Sequence, residues 1–229
     1  MHGLAAPSAP SAPSAWVQRF TPLLQPGSRV LDLACGSGRH LQWLAGLGHH
    51  VTGVDRDAEA LARAEANVQD SVLASAQANS QANSPASSQA SSQASSRTFV
   101  AGAELLLADV EAGPWPLAGR QFDAIVVTNY LWRPLFPTLM GALAEGGIYL
   151  HETFADGHQH IGRPSRPDFL LQRGELLRVC ARLRVIAFED GYEPGPAGGP
   201  EGARCVQRIA AVNETAAAGI QARWSLGMT

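Results

Sequence analysis

The sequence predicts one doubly wound α/β domain, and three observations carry that expectation. Short apolar runs bounded by turn residues alternate with segments of helical periodicity, the pattern of βαβ units around a mainly parallel sheet. One run, Val30-Leu31-Asp32-Leu33-Ala34-Cys35, turns through Gly36-Ser37-Gly38 directly into a helical pattern. Near the end, Leu183 to Phe188 and Arg204 to Val212 read as two closing strands joined by the Gly/Pro-rich stretch from Gly195 to Gly202. A chain of 229 residues with 45% hydrophobic content can bury one full core.

The elements follow in order. Ala6-Pro7-Ser8, Ala9-Pro10-Ser11 and Ala12-Pro13-Ser14 repeat a tripeptide with no apolar surface to bury, so residues 1–14 are expected to be a disordered tail. Trp16, Phe20, Leu23 and Leu24 recur at helical spacing and predict a helix that covers the sheet edge or lids a site. Arg29 to Leu33 is the first strand. A helix from Arg39 to Leu47 places Leu41, Leu44 and Leu47 on one face, and Gly48 stops it. His50 to Val54 is the second strand, and a helix starting near Asp57 carries Leu61, Ala64 and Val68 inward. From Ala74 to Ser96 only Ala, Ser, Gln, Asn and Pro occur, in a four-residue repeat. Ser and Asn weaken helices and no apolar face exists, so about residues 69–97 read as a disordered insertion.

Glu104 to Ala108 is the third strand and ends at Asp109. Phe122 to Val127 is nearly all apolar, which suits a parallel strand buried on both faces. A helix from about Pro134 to Ala144 is stopped by Gly146-Gly147, Ile148 to Glu152 is the fifth strand, and Gly174 to Cys180 is helical. The folded domain is therefore expected over residues 15–213, with residues 214–229 as a tail without a clear signal.

Composition narrows the function classes. A formal charge of −3 argues against a protein that coats nucleic acid. All 17 basic residues are arginine, which excludes lysine Schiff-base chemistry. Cys35, Cys180 and Cys205 have no metal-type spacing and are too few for a disulfide scaffold, so a reducing, cytoplasmic setting fits. Apolar runs fall short of the roughly 18 residues of a membrane span, and the first residues lack the basic start and apolar core of a secretory leader.

Gly36 and Gly38 lack a Cβ, so the turn between strand and helix can be tight and can approach a ligand closely. Two such glycines alone are a weak signal. Asp32 changes their meaning. A pyrophosphate at this turn would meet a carboxylate, and Leu41 stands where dinucleotide folds place a third glycine. Asp32 suits a cationic ligand, and a nicotinamide-dependent oxidoreductase is disfavoured. In Val51-Thr52-Gly53-Val54-Asp55-Arg56-Asp57, Asp55 lies 17 residues after Gly38, near the roughly 20-residue spacing of the ribose-binding carboxylate in Rossmann-like folds. Asp57 reads as the N-cap of the next helix.

The run from Val30 to His40 resembles motif I of class I S-adenosylmethionine-dependent methyltransferases, whose ligand carries a sulfonium and an α-amino group. The resemblance implies a Rossmann-like seven-stranded sheet, mainly parallel with an antiparallel last strand and helices on both faces, and S-adenosyl-L-methionine as cofactor. It implies cofactor contacts from Asp32, Ala34, Gly36, Gly38, Asp55 and Arg56. Asp109 would face the adenine ring, with Val110 supplying a backbone N–H. Thr128 and Asn129 would lie near the methionine end. Enzymes that methylate exocyclic base nitrogens carry Asp/Asn-Pro-Pro-aromatic at that point; Thr128-Asn129-Tyr130-Leu131 departs from it, and those acceptors are disfavoured. The runs Asn129 to Pro137, His151 to Phe154 and Gly162 to Leu171 are similar to small bacterial methyltransferases of the tellurite-resistance type, which implies a reaction type but no acceptor.

On the acceptor side, Tyr130, His151 and Glu152 are candidates for catalysis and for substrate binding, with His158 and Asp168 also conceivable as bases. Pro164 and Pro167 restrict the backbone and could orient Arg163 and Arg166 toward an anionic acceptor group, with Phe154 and Phe169 nearby. Alternatively these arginines pair with Asp168 or Glu152, and His151 is a hydrogen-bonded core residue. No metal is expected: His49 and His50 point to opposite faces of a strand, and His158-x-His160 lacks further ligands. The expectation is a methyltransferase acting on a small molecule, with no DNA or membrane partner. The alternatives are an RNA methyltransferase and a catalytically silent S-adenosylmethionine-binding module. Arg163, Arg166, Arg173, Arg178, Arg182 and Arg184 favour RNA, but Asp168 and Glu175 dilute that cluster.

Overall fold

A computed structural model describes residues 12–78, 97–195, 198–199, 201–214 and 224. Eight strands form one sheet: β1 (Arg29–Leu33), β2 (His50–Asp55), β3 (Arg97–Val100), β4 (Ala103–Leu107), β5 (Phe122–Thr128), β6 (Leu143–Phe154), β7 (Arg184–Glu193) and β8 (Arg204–Val212). Their spatial order is β3-β4-β2-β1-β5-β6-β8-β7. The β4, β2, β1, β5 and β6 pairings are parallel, and β8 runs antiparallel between β6 and β7. Helices α1 (Ala15–Phe20), α2 (Arg39–Gly46), α3 (Ala58–Ala78), α4 (Phe136–Ala142) and α5 (Glu175–Val179) complete the fold.

Alternation along the central strands divides the core in two. Leu31, Leu33, Ile125, Val127 and Tyr149 pack on the face shared with α4 and α5. Val30, Val51, Val126, Ile148 and Leu150 pack on the other, under Trp16 and Phe20 of α1 and Leu41 and Leu44 of α2. The Trp16 indole N–H donates to the Ile209 carbonyl at 3.1 Å, which fastens α1 across β8.

The structure corrects the sequence-based expectation at four places. The sheet has eight strands rather than seven, because Arg97–Val100, whose first residue was assigned to the insertion, pairs antiparallel with β4. Val100 faces Ala103 across a two-residue turn in which Ala101 (φ 46°) and Gly102 (φ 84°) are both left-handed, the geometry that suits a hairpin's twist. Second, α3 continues to Ala78, into the stretch expected to be disordered. Its first turns are anchored by Leu61, Ala64 and Val68, and propagation through alanine is cheap once a helix is nucleated. The rest of that stretch, residues 79–96, lies outside the described residues. Third, α4 stops at Ala142, two residues early, because Leu143 is already extended and pairs with Phe122 in β6.

Fourth, Ser14 is not part of a free tail. Its hydroxyl oxygen accepts the Trp16 N–H at 3.1 Å as the N-cap of α1, and its own N–H donates to His40 Nε2 at 3.0 Å. Residues 1–11 lie outside the described residues. In the C-terminal segment Trp224 donates to Glu214 at 2.8 Å, and residues 215–223 and 225–229 are outside the description. No helix among the described residues is long and apolar enough to cross a membrane.

Candidate active site

A cleft of about 400 Å³ opens over the carboxyl ends of the parallel strands, where ligands bind in open α/β sheets. One end is built by the segments after β2 and β4. Asp55 ends β2 with both carboxylate oxygens engaged: Oδ2 accepts the Gly36 N–H at 2.8 Å and Oδ1 the Asp57 N–H at 2.9 Å. Each oxygen keeps a further lone pair for a ligand hydroxyl. Asp57 caps α3 by accepting the N–H groups of Glu59 and Ala60 at 2.9 and 3.1 Å, as expected of it. Asp109 Oδ1 accepts the Glu111 and Ala112 N–H groups at 2.9 and 3.2 Å, which folds the chain after β4 into a turn and fixes the carboxylate at the cleft. Arg56 and Glu111 meet at 3.4 Å, joining the segments after β2 and β4 at the rim.

The two motif glycines divide their work. Gly36 has φ 54°, and a Cβ there would meet nothing within 4 Å, so its backbone faces open space. Gly38 has φ 78°, and its Cβ would lie 2.8 Å from the Ala64 Cβ, so it lets α2 approach α3. Asp32 sits behind the turn, 1% exposed, with neither carboxylate oxygen hydrogen-bonded. Burial pushes its carboxyl up to about 7, against the opposing pull of Arg39. An acid raised in this way favours folding below its ordinary value of 3.8, and that contribution is lost as pH rises through about 7. Asp32→Asn is therefore expected to raise apo stability at pH 8 by roughly 1 kcal/mol, with little gain at pH 4. Thermal melts at the two pH values check it, and equal gains at both would contradict it.

Of the residues expected at the cofactor, Ala34, Asp55, Arg56, Asp109, Val110 and Asn129 line the cleft. Asp32, Gly36, Gly38 and Thr128 do not. Thr128, the last residue of β5, is buried, with its hydroxyl 3.5 Å from His40 Nδ1.

The acceptor-side expectations need correction. His151 is fully buried: Nε2–H donates to the Tyr130 carbonyl at 3.0 Å, and Nδ1 accepts the Tyr149 hydroxyl at 2.7 Å. Burial lowers its pKa to about 4, so it is a neutral structural residue that shapes the turn after β5 and is no base. Glu152 points to the opposite face of β6. It accepts the Ser14 hydroxyl at 3.1 Å and is ion-paired with Arg208 and Arg204. Arg166 pairs with Asp168 at 2.9 Å on the surface, and Arg163 is exposed; neither side chain lines the cleft. Tyr130 does line it. Its hydroxyl is buried without a hydrogen-bond partner, and burial followed by the nearby Glu111 charge pushes its pKa well up, so it acts as a donor.

Sequence reasoning passed over several of the residues that matter here. Ser14 stands one residue before a helical run, an N-cap signal hidden by its place in the tripeptide repeat. His40, in the first turn of α2, receives Ser14 and faces Thr128; burial lowers its pKa to about 3 and keeps it neutral. Glu111 follows Asp109 closely, and no pattern singles it out.

The residues present fit S-adenosyl-L-methionine. The orphaned buried Asp32 carboxylate under the turn suits a positive charge, the open space before Gly36 admits a ligand tail, and Asp55 retains acceptors for ribose hydroxyls. Asp109 and Val110 line the same cleft beyond Asp55.

Residues 30–91 match the methyltransferase domain family. A 23S rRNA (uracil-C5)-methyltransferase of Methylococcus capsulatus is 54% identical over 46 residues, covering 20% of this chain and 10% of that protein. A thiopurine S-methyltransferase of Pseudomonas putida is 48% identical over 48 residues, covering 20% of this chain and 22% of that protein. The chain thus spans only a small part of these relatives. The structure of TehB from Haemophilus influenzae superimposes with a TM-score of 0.57 at 18% identity, covering 86% of this chain and 60% of that one. The domain matched over residues 30–91 and the order of the sheet give the chain the fold of S-adenosylmethionine-dependent methyltransferases.

Proposed function

We propose that the chain binds S-adenosylmethionine in this cleft and transfers its methyl group to a small-molecule acceptor. The observation that carries the reading is the continuity of the cleft, from Asp55 and Asp109 past Asn129 and Tyr130 to the apolar surfaces of Phe154 and Phe169. When bound, the cofactor supplies an activated methyl group, so the protein contributes proximity and orientation. Asp55 and Asp109 would hold the adenosine end. Asn129, at φ 55°, turns the chain after β5 toward the cleft while its N–H is tied to the Glu152 carbonyl at 2.9 Å. The DNA-free, membrane-free and cytoplasmic setting expected from composition belongs to the same proposal.

An RNA acceptor is less favoured because part of the arginine cluster that suggested it is engaged: Arg166 pairs with Asp168 at 2.9 Å, Arg184 with Glu214 at 3.4 Å, and Arg178 donates to the Arg173 carbonyl at 3.0 Å. The rRNA enzyme's name speaks for its own acceptor over a short match. A thermal-shift panel tests the reading: S-adenosylmethionine and S-adenosylhomocysteine should stabilise the protein and NAD(P)H should not. Stabilisation by NAD(P)H alone would overturn it.

An anionic group on an acceptor that extends beyond the cleft would be met by Arg163, which precedes the lining Pro164 and whose exposed side chain makes no hydrogen bond or ion pair among the described residues. Arg163→Ala is expected to lower turnover of such an acceptor with cofactor affinity near wild type. Arg166→Ala, which removes a pair whose members are 71% and 73% exposed, is expected to change stability by less than about 1 kcal/mol. Steady-state kinetics and melting curves separate the two. An unaltered KM in Arg163→Ala would remove the anionic requirement.

A further inference from the structure

We propose that the acceptor is a planar aromatic molecule whose reacting atom, a thiolate sulfur or an unprotonated ring nitrogen, already carries a free lone pair at neutral pH. The proposal rests on the methyltransferase reading and adds the chemical class of the acceptor.

The first argument is proton bookkeeping at the acceptor end. His151 has both ring nitrogens engaged and is sealed in the core. His158 is committed as well: Nε2–H donates to the Arg163 carbonyl at 3.0 Å, and Nδ1 accepts the Cys205 N–H at 3.4 Å. Glu152 is bound to arginines on the other face, and Asp168 to Arg166 on the surface. Of the carboxylates that line the cleft, Asp55 and Asp109 hold backbone N–H groups, and Glu111, which stands near the Tyr130 hydroxyl, is paired with Arg56 at 3.4 Å. Among the described residues, no uncommitted side-chain base faces the acceptor end. An alcohol or an alkylammonium, each of which must lose a proton to react, is poorly served; a thiolate or a pyridine-type nitrogen needs none.

The second argument is shape. The acceptor end is lined by Leu131, Phe154, Pro164 and Phe169. His158 stacks on Phe154 with ring centroids 4.4 Å apart, and the Arg166 guanidinium lies 5.3 Å from the centre of Phe169. Each ring is thus backed by a neighbour and held in place, offering flat apolar surface to a flat ligand. The third is the Tyr130 hydroxyl, buried on the cleft wall beside Glu111 with no hydrogen bond of good geometry, so a heteroatom on the acceptor would complete its bonding.

In the transfer step the acceptor lone pair forms the bond to the methyl carbon. The electron pair of the breaking carbon–sulfur bond returns to the cofactor sulfur. No proton passes to the protein: a thiolate becomes a neutral thioether, and a ring nitrogen becomes a cationic N-methyl group.

The test uses the full chain and two probe series, thiophenols of graded acidity and substituted pyridines, with phenols and alkylamines as comparators. The acid limb of the kcat/KM profile should move with the acceptor's own pKa in the active series, and phenols should react at least about 100-fold more slowly than matched thiols. Independently of turnover, calorimetry on the S-adenosylhomocysteine-loaded protein should show 4-nitrothiophenolate or 4-dimethylaminopyridine binding, weakened about fivefold by Tyr130→Phe. Whichever arm binds and reacts identifies the nucleophile. A limb fixed across a whole series, or alkylamines and phenols matching the best probes, would overturn the proposal, as would binding of S-adenosylhomocysteine with neither arm binding. Failure of S-adenosylhomocysteine itself to bind would instead defeat the methyltransferase reading beneath it.

Discussion

Glu152→Ala is expected to destabilise the protein by about 3 kcal/mol or more, because it breaks a buried ion pair and leaves its cation behind. The side chains of Glu152 and Arg208 are 3% and 14% exposed. Arg208 also faces Glu189 at 3.1 Å and Glu193, which soften the loss by keeping some negative charge nearby. The Ser14 hydroxyl would lose its acceptor too, loosening the N-cap of α1. Glu152→Gln keeps the shape and the hydrogen bond while removing the charge, so it should fall between wild type and Glu152→Ala. Urea denaturation measures the series. A loss below about 1 kcal/mol in Glu152→Ala would show that the pair behaves like a solvated surface bridge.

The second large effect separates the two motif glycines. Gly38→Ala should cost about 2–4 kcal/mol, from left-handed strain and from a Cβ forced against Ala64. Its φ is 78°, and the contact would be 2.8 Å to the Ala64 Cβ and 3.2 Å to the Ala64 Cα, with backbone involved. Gly36→Ala, at φ 54° with no atom within 4 Å, should pay only the strain, about 1–2 kcal/mol. Its new methyl group would occupy the space expected to admit the ligand tail. Thermal melts and cofactor titrations should therefore rank the variants oppositely: Gly38→Ala worse in stability, Gly36→Ala worse in binding relative to its remaining fold. The same rank in both measurements would contradict this division.

Much of the sheet was legible because its strands are buried on both faces and flanked by glycine or acidic turns, as at Val30 to Gly38 and Val51 to Asp57. The β3 hairpin was not, since Ala101 in a left-handed conformation carries no turn signature of its own. The place of Asp55 and Asp109 on the cleft was readable for the same reason as the strands: both stand where strands end. The acceptor end was not readable, because His151 and Glu152 are adjacent in sequence yet point to opposite faces of β6. Their partners, Tyr149, Tyr130, Ser14 and Arg208, come from elements that only tertiary packing brings together. Polar residues at a strand end therefore looked catalytic when they are structural, while Phe154 and Phe169, noted in the sequence only as neighbours of Arg163 and Arg166, line the cleft.

Titration calorimetry of S-adenosylhomocysteine into wild-type and Asp55→Ala protein tests cofactor binding in this cleft most directly. Asp55 is expected to receive ligand hydroxyls on oxygens already oriented by Gly36 and Asp57. Binding of one equivalent by wild type, weakened by about 1–3 kcal/mol in Asp55→Ala with the fold intact, is the predicted result. No binding by wild type, or unchanged affinity in the variant, would contradict it.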